Sequence, residues 1–150
     1  MDLQHRFRED CAFCKILLAQ ADCHRVFEDE HTLAFLDHRP LFPGHCLLIP
    51  KTHLETLVDI PDSLIGPLFS TARMLAGAIQ QGMDAEGTFV AANNRISQSV
   101  PHFHVHIVPR RKGDGLKGFF WPRRKYKDAD EINAIGAKLR TAIGQSHQPR

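Results

Sequence analysis

The stretch Gln98-Ser99-Val100-Pro101-His102-Phe103-His104-Val105-His106-Ile107-Val108-Pro109-Arg110 decides how the rest of the chain is read. From His102 to Ile107 imidazoles alternate strictly with apolar residues, the period of a β-strand whose successive side chains face opposite ways. A strand over His102–Val108 places His102, His104 and His106 on one face and Phe103, Val105 and Ile107 on the buried one. At about 3.3 Å of rise per residue the outer two imidazoles start roughly 13 Å apart, so one metal ion cannot take all three from a straight strand. Two of them can still share an ion. A row of imidazoles also suits phosphoryl chemistry, because imidazole is a nucleophile, a proton carrier and a phosphate partner near neutral pH.

Upstream of this segment, Thr88–Ala92 reads as another strand. Leu64, Leu68, Ala72, Leu75, Ala76 and Ile79 recur at helical spacing, with Gly82 placed to end the helix. Pro67 is tolerated there if Ser63 lies near the cap, since first-turn amides have no helical partner. Pro43-Gly44 is a turn into an apolar strand, His45–Ile49, stopped by Pro50. Val26–Glu28 and Thr32–Asp37, joined through Asp29-Glu30-His31, read as a hairpin. A polar arm over residues 1–10 leads into a short helix, Cys14–Ala19. At the other end a helix is expected over Ala129–Ile143, with Ile132, Ile135, Leu139 and Ile143 on one face and Asp128 and Glu131 as a capping-box-like start. This order predicts an α+β fold with a mainly antiparallel sheet of about five strands, a long helix and terminal helices.

The 150 residues suit one domain, 1–150, with its core over about 11–122; a chain of this size buries roughly two-thirds of its unfolded surface. Nineteen Lys and Arg against seventeen Asp and Glu leave a net charge of +2, which excludes an acidic disordered chain and a uniformly basic nucleic-acid coat. No window approaches the roughly 18 apolar residues of a membrane span. The charged start lacks the apolar core of a signal peptide, so a cytoplasmic protein is expected. Four Cys then fit thiols or metal ligands better than disulfides. The ten His are the unusual count, and they are not scattered evenly.

His102-Phe103-His104-Val105-His106-Ile107-Val108, preceded by Gln98-Ser99, resembles the signature of the histidine triad (HIT) superfamily of nucleotide hydrolases and transferases. The likeness extends to Ala34-Phe35-Leu36-Asp37 and to Pro43-Gly44-His45-Cys46-Leu47-Leu48-Ile49-Pro50-Lys51-Thr52-His53, and covers residues 11 to about 122. It implies a HIT-like fold in which His104 attacks an α-phosphorus and carries the nucleotide as a phosphoramidate. His106 and His45 would contact phosphoryl oxygens, and Gln98 and Ser99 the phosphate and leaving group. Asp37 would accept the ribose hydroxyls, and Asn93 would orient phosphate and ribose. The loop Asn93–Gln98 is shorter than in relatives, with Arg95-Ile96-Ser97 in place of the usual glycines. Read alone, Asp37, His45 and Asn93-Asn94 are ordinary turn chemistry.

Cys11-x-x-Cys14 has the spacing of a metal-binding loop, and equally of two reduced core thiols; no βαβ pattern supports a redox role. The resemblance completes a structural zinc site with Cys11, Cys14, His53 and His102, and implies no catalytic metal. Cys23 and Cys46 are assigned nothing. Between Arg110 and Lys127 eight Lys or Arg face one acid, Asp114, with Phe119, Phe120, Trp121 and Tyr126 interleaved. Such a loop binds nucleic acid, closes over a leaving group, or is simply solvated; the solvated reading is favoured and a nucleic-acid partner is not expected. The resemblance further implies a homodimer. The expected activity is hydrolysis or transfer at the α-phosphate of purine nucleoside phosphoramidates or related AMP and GMP conjugates through a nucleotidyl-histidine. Its alternatives are a dinucleoside polyphosphate hydrolase and a zinc-stabilised nucleotide-binding protein with little activity.

Overall fold

The alternation of the triad segment survives in three dimensions, but the regular strand starts later than its pattern suggests. In the computed structural model, which describes residues 7–116 and 124–146, the strands are β1 (Arg25–Glu28), β2 (Thr32–Leu36), β3 (Cys46–Pro50), β4 (Gly87–Ala91) and β5 (Val105–Arg110). They form one antiparallel sheet in the order β1-β2-β3-β5-β4. The ladder begins at Val105, opposite Leu48, because the preceding backbone is bonded elsewhere. The Phe103 amide donates to the Leu54 carbonyl at 2.6 Å, and the His102 amide to Val100. His102 and His104 are therefore held in a lead-in segment that bends at His102, rather than in the strand.

The helices are α1 (Ala12–Leu17), α2 (Asp62–Gly82) and α3 (Ala129–Ser146), with a short 3-10 turn at Leu57–Asp59. Phe103, Val105 and Ile107 pack with Leu48, Cys46 and the apolar stripe of α2, Leu68, Ala72, Leu75 and Ile79. On the opposite face Phe13 and Ile16 of α1 pack with Leu33, Phe35, Leu47 and Ile49. Burying each such large side chain is worth roughly 1.5–3 kcal/mol. The imidazoles thus lie under α1, on the face away from α2.

Pro67 is the sixth residue of α2, two positions deeper than a cap at Ser63 would place it, because the helix starts at Asp62 with Pro61 as its cap. Having no N–H, it removes one bond from the helical ladder. Gly44 is the position where a glycine is required: its φ is 94°, and an added Cβ would meet Met83 Cγ at 2.6 Å. The turn it makes delivers His45 to the head of β3, with the His45 amide donating to the Phe42 carbonyl at 3.0 Å.

The chain divides into two units, Met1–Asp114 and Gly115–Arg150. In the second, α3 starts as its residues predict, with Asp128 Oδ1 accepting from the Glu131 amide at 2.8 Å. In the first, Arg110 forms a bidentate pair with Asp114, and Arg111 donates to the Met83 and Asp84 carbonyls beyond the end of α2. Lys117, Phe119, Phe120, Trp121 and Arg123 of the basic loop, and residues 1–6 of the polar arm, lie outside the described residues. No helix among the described residues is long and apolar enough to cross a membrane.

Candidate active site and metal centre

Backbone geometry fixes the state of each imidazole. His104 Nδ1 lies 2.7 Å from the His102 carbonyl oxygen, which can only accept, so Nδ1 carries the proton and Nε2 keeps its lone pair. The Leu41 amide donates to His45 Nδ1 at 3.1 Å, so the proton of neutral His45 sits on Nε2. That Nε2–H donates to His106 Nδ1 at 3.0 Å, which leaves His106 with its own N–H on Nε2. The His104 and His106 ring centroids are 4.9 Å apart. One lone pair and one N–H, side by side, are thereby offered to the same space.

That space is a cavity of ≈ 450 Å³, within the usual range of small-molecule sites. Phe13, Ile16, Phe35, Leu36 and Leu47 give it an apolar wall; Asp37, Ser99, His104 and His106 converge on it. No Lys or Arg lines it among the described residues. Phe13 stands edge-on to His104 at 5.2 Å between centroids. Asp37 Oδ1 accepts the Arg39 amide at 2.9 Å, which is the turn bond, and Oδ2 lies 3.8 Å from His45 Nε2, while the residue also lines the cavity.

The expected residues do not all meet here. His45 is buried, 3% exposed, and does not line the cavity; it borders it through His106 and Asp37. Gln98 and Asn93 are not among the lining residues. Asn93 Nδ2 donates to the Ser97 carbonyl at 3.1 Å, while Asn94 Oδ1 accepts the Leu57 amide at 2.7 Å. Sequence reasoning missed the lining roles of Phe13 and Ile16, whose i, i+3 spacing behind Cys11 was their signal, and of Cys23, for which there was none.

Burial sets protonation. His106 is pushed down to about 4, by burial first and then by the adjacent His104 and His45 rings. Burial likewise holds His45 and His104 below the ordinary imidazole value, against the opposing pull of Asp37. An unfolded chain takes up these protons near 6.5, whereas folded His106 does so only near 4. For His106 the stability this carries is whole above pH 6.5 and is lost as pH falls toward 4, at about 1.4 kcal/mol per pH unit. Urea midpoints should be level above pH 7 and decline from pH 6.5 to 4.5, with and without chelator. A midpoint constant down to pH 5 would show that the rings are charged in the folded protein.

The second cluster is Cys11, Cys14, His53 and His102, whose ligand atoms all lie within 4.8 Å of one another. Cys11 Sγ is 3.5 Å and Cys14 Sγ 3.7 Å from His102 Nδ1, and Cys14 Sγ is 3.3 Å from His53 Nδ1. Tetrahedral zinc with ordinary Zn–S and Zn–N bonds places sulfur and nitrogen about 3.5 Å apart, so the spacings fit. His102 Nε2 donates to the Pro50 carbonyl at 2.9 Å, which turns the Nδ1 lone pair toward the sulfurs. Burial pushes His102 down to about 4, keeping it in the neutral form that ligates, and pushes the Cys14 thiol up to about 11. His53 Nε2 is a buried atom without a hydrogen-bond partner among the described residues. Asp37, His45 and His106 also lie close enough to share an ion. There, however, His45 Nδ1 already accepts the Leu41 amide, and its Nε2 holds the proton.

Known proteins resemble this chain in sequence and in fold. The HIT domain pattern matches residues 19–113. "Protein hit" of Bacillus subtilis is 42% identical over 137 residues, covering 87% of this chain and 94% of its own. Adenosine 5'-monophosphoramidase HNT1 of Saccharomyces cerevisiae is 32% identical over 131 residues, covering 86% of this chain and 80% of its own. The crystal structure of a Zn-bound histidine triad family protein from Mycobacterium smegmatis superimposes with a TM-score of 0.68 at 37% identity, covering 89% of this chain and 97% of that one.

Proposed function

The chain belongs to the HIT domain family, and from that premise we propose that it hydrolyses purine nucleoside 5'-phosphoramidates and related nucleotide conjugates through a nucleotide bound covalently to His104. The observation that carries this reading is the His104 Nδ1–H bond to the His102 carbonyl, which leaves an unprotonated Nε2 facing the cavity. That nitrogen attacks the α-phosphorus; an N–P bond forms, the bond to the leaving group breaks, and water later displaces the nucleotide from His104. Charge building on the phosphoryl oxygens meets the N–H of His106, which is oriented by the chain from Leu41 through His45. Ser99, at the cavity, supplies a hydroxyl that passes a proton to the departing amine. A lining without Lys or Arg among the described residues favours a small leaving group over a long polyphosphate. Cys11, Cys14, His53 and His102 would hold one zinc ion, whose closed Cys₂His₂ set serves the fold rather than the reacting phosphate.

The test is a panel of adenosine and guanosine phosphoramidates and dinucleoside polyphosphates, with protein quenched in alkaline denaturant, where an N–P bond survives, and weighed for a nucleotidyl adduct. Turnover with an adduct mapping to His104 is expected. AMP binding without any product burst would make the chain a binding protein instead. A second expected result concerns Asp37, which lines the cavity. Asp37→Ala should weaken ribonucleotides by roughly 1.5–3 kcal/mol, the worth of charged hydrogen bonds, and 2'-deoxynucleotides far less. Equal losses for both would confine Asp37 to its turn.

A further inference from the structure

The loop before the triad is wound against its own preferences. Arg95 (φ 68°) and Ser97 (φ 59°) both occupy the left-handed region, although neither is glycine. Each such residue lowers the population of that conformation roughly tenfold, so something must hold it. Gln98 is bonded at both ends of its amide: Oε1 accepts the Arg95 amide at 2.7 Å, and Nε2 donates to the Glu55 carbonyl at 2.6 Å. The first bond fixes the strained turn, and the second ties it to a distant segment. Its neighbours Ser99 and Val100 line the cavity, whereas Gln98 does not.

We propose that Gln98 is a positioning residue: its side-chain amide clamps the left-handed turn at Arg95–Ser97 to Glu55 and so sets Ser99 at the cavity, rather than touching substrate phosphate itself. The effect on turnover rests on the activity proposed above; the clamp does not. Asn93 and Asn94 steady the same loop through Ser97 and Leu57, but only Gln98 sits beside the serine it would place.

The experiment compares four forms of the full chain: wild type, Gln98→Ala, the pair Arg95→Gly with Ser97→Gly, and all three changes together. Each is read for kcat and KM on adenosine 5'-phosphoramidate, for AMP affinity, and for hydrogen exchange at the Arg95 amide. Gln98→Ala should lower kcat roughly ten- to hundredfold by misplacing the serine, leave AMP affinity within about twofold, and speed exchange at Arg95. Glycine adopts the left-handed region freely, so the glycine pair should return roughly fivefold or more of the lost kcat in the Gln98→Ala background. A phosphate ligand behaves otherwise: AMP affinity would fall with kcat and the glycines would rescue nothing, which overturns the proposal. Unchanged exchange at Arg95 overturns it as well. If Gln98→Ala does not fold, Gln98→Glu keeps the acceptor for Arg95 but loses the donor to Glu55, and should give an intermediate kcat with AMP affinity retained. If the wild type turns over no phosphoramidate, the proposed activity falls, while exchange and AMP affinity still decide the clamp.

Discussion

His104→Asn lowers kcat by about 10³-fold or more on every nucleotide conjugate the wild type accepts, because the variant has no group able to form the covalent intermediate. The fold should survive. His104 packs against Phe13 and His106 at the cavity and makes its hydrogen bond to a carbonyl in its own segment, so its loss opens no hole between sheet and helix α2. The carboxamide of Asn still offers a donor of similar reach. Affinity for AMP should stay within a few-fold, since His106, Asp37 and Ser99 are untouched. Turnover, AMP binding and melting temperature together check the assignment. A variant that keeps a tenth of wild-type turnover would mean that another group attacks phosphorus.

The second large effect is on stability. Chelation, or Cys14→Ser, should lower the melting temperature by roughly 10 °C or more, because several kcal/mol of metal binding are folding free energy. The four donors come from the cap and first turn of α1, from the segment after β3 and from the lead-in to β5, so one ion closes loops spanning up to 91 residues between Cys11 and His102. The loss should shrink at mildly acidic pH, where protons compete for both thiolates and imidazoles and the metal contributes less. Catalysis should persist in whatever fraction stays folded. Metal analysis of reduced protein prepared without added zinc gives the direct answer: about one zinc per chain is expected, and none would return Cys11 and Cys14 to the core. Immediate loss of activity on chelation with an unmoved melting temperature would instead place a metal in the chemistry.

Local patterns carried much of this structure. Alternation sorted Phe103, Val105 and Ile107 into the core beneath α2 and the three imidazoles onto the other face, because a two-residue period is a property of extended backbone itself. The helical stripe of α2 and the Asp128 cap of α3 were equally visible. What escaped depends on partners far away in the chain. The strand starts at Val105 because Leu54, some fifty residues earlier, takes the Phe103 amide. Asn94 and Gln98 spend their amides on Leu57 and Glu55, which no neighbouring residue announces. The family resemblance supplied a role for Gln98 that its observed bonds do not require. The wall formed by Phe13 and Ile16 likewise follows from where α1 docks.

The acceptor that orients the proposed nucleophile is a peptide carbonyl, and that has a consequence for how the protein tolerates change. In a triad whose base is oriented by a carboxylate side chain, one base substitution in the gene can delete the orienting group. Here every amino acid at position 102 would still present the same oxygen to His104 Nδ1. The tautomer of His104 is therefore written into the path of the main chain rather than into any codon, so random mutation can disturb it only by moving the backbone. His102 itself is free to answer to the metal cluster alone, and selection on its ring is separated from selection on the reaction, although the two sites share that residue.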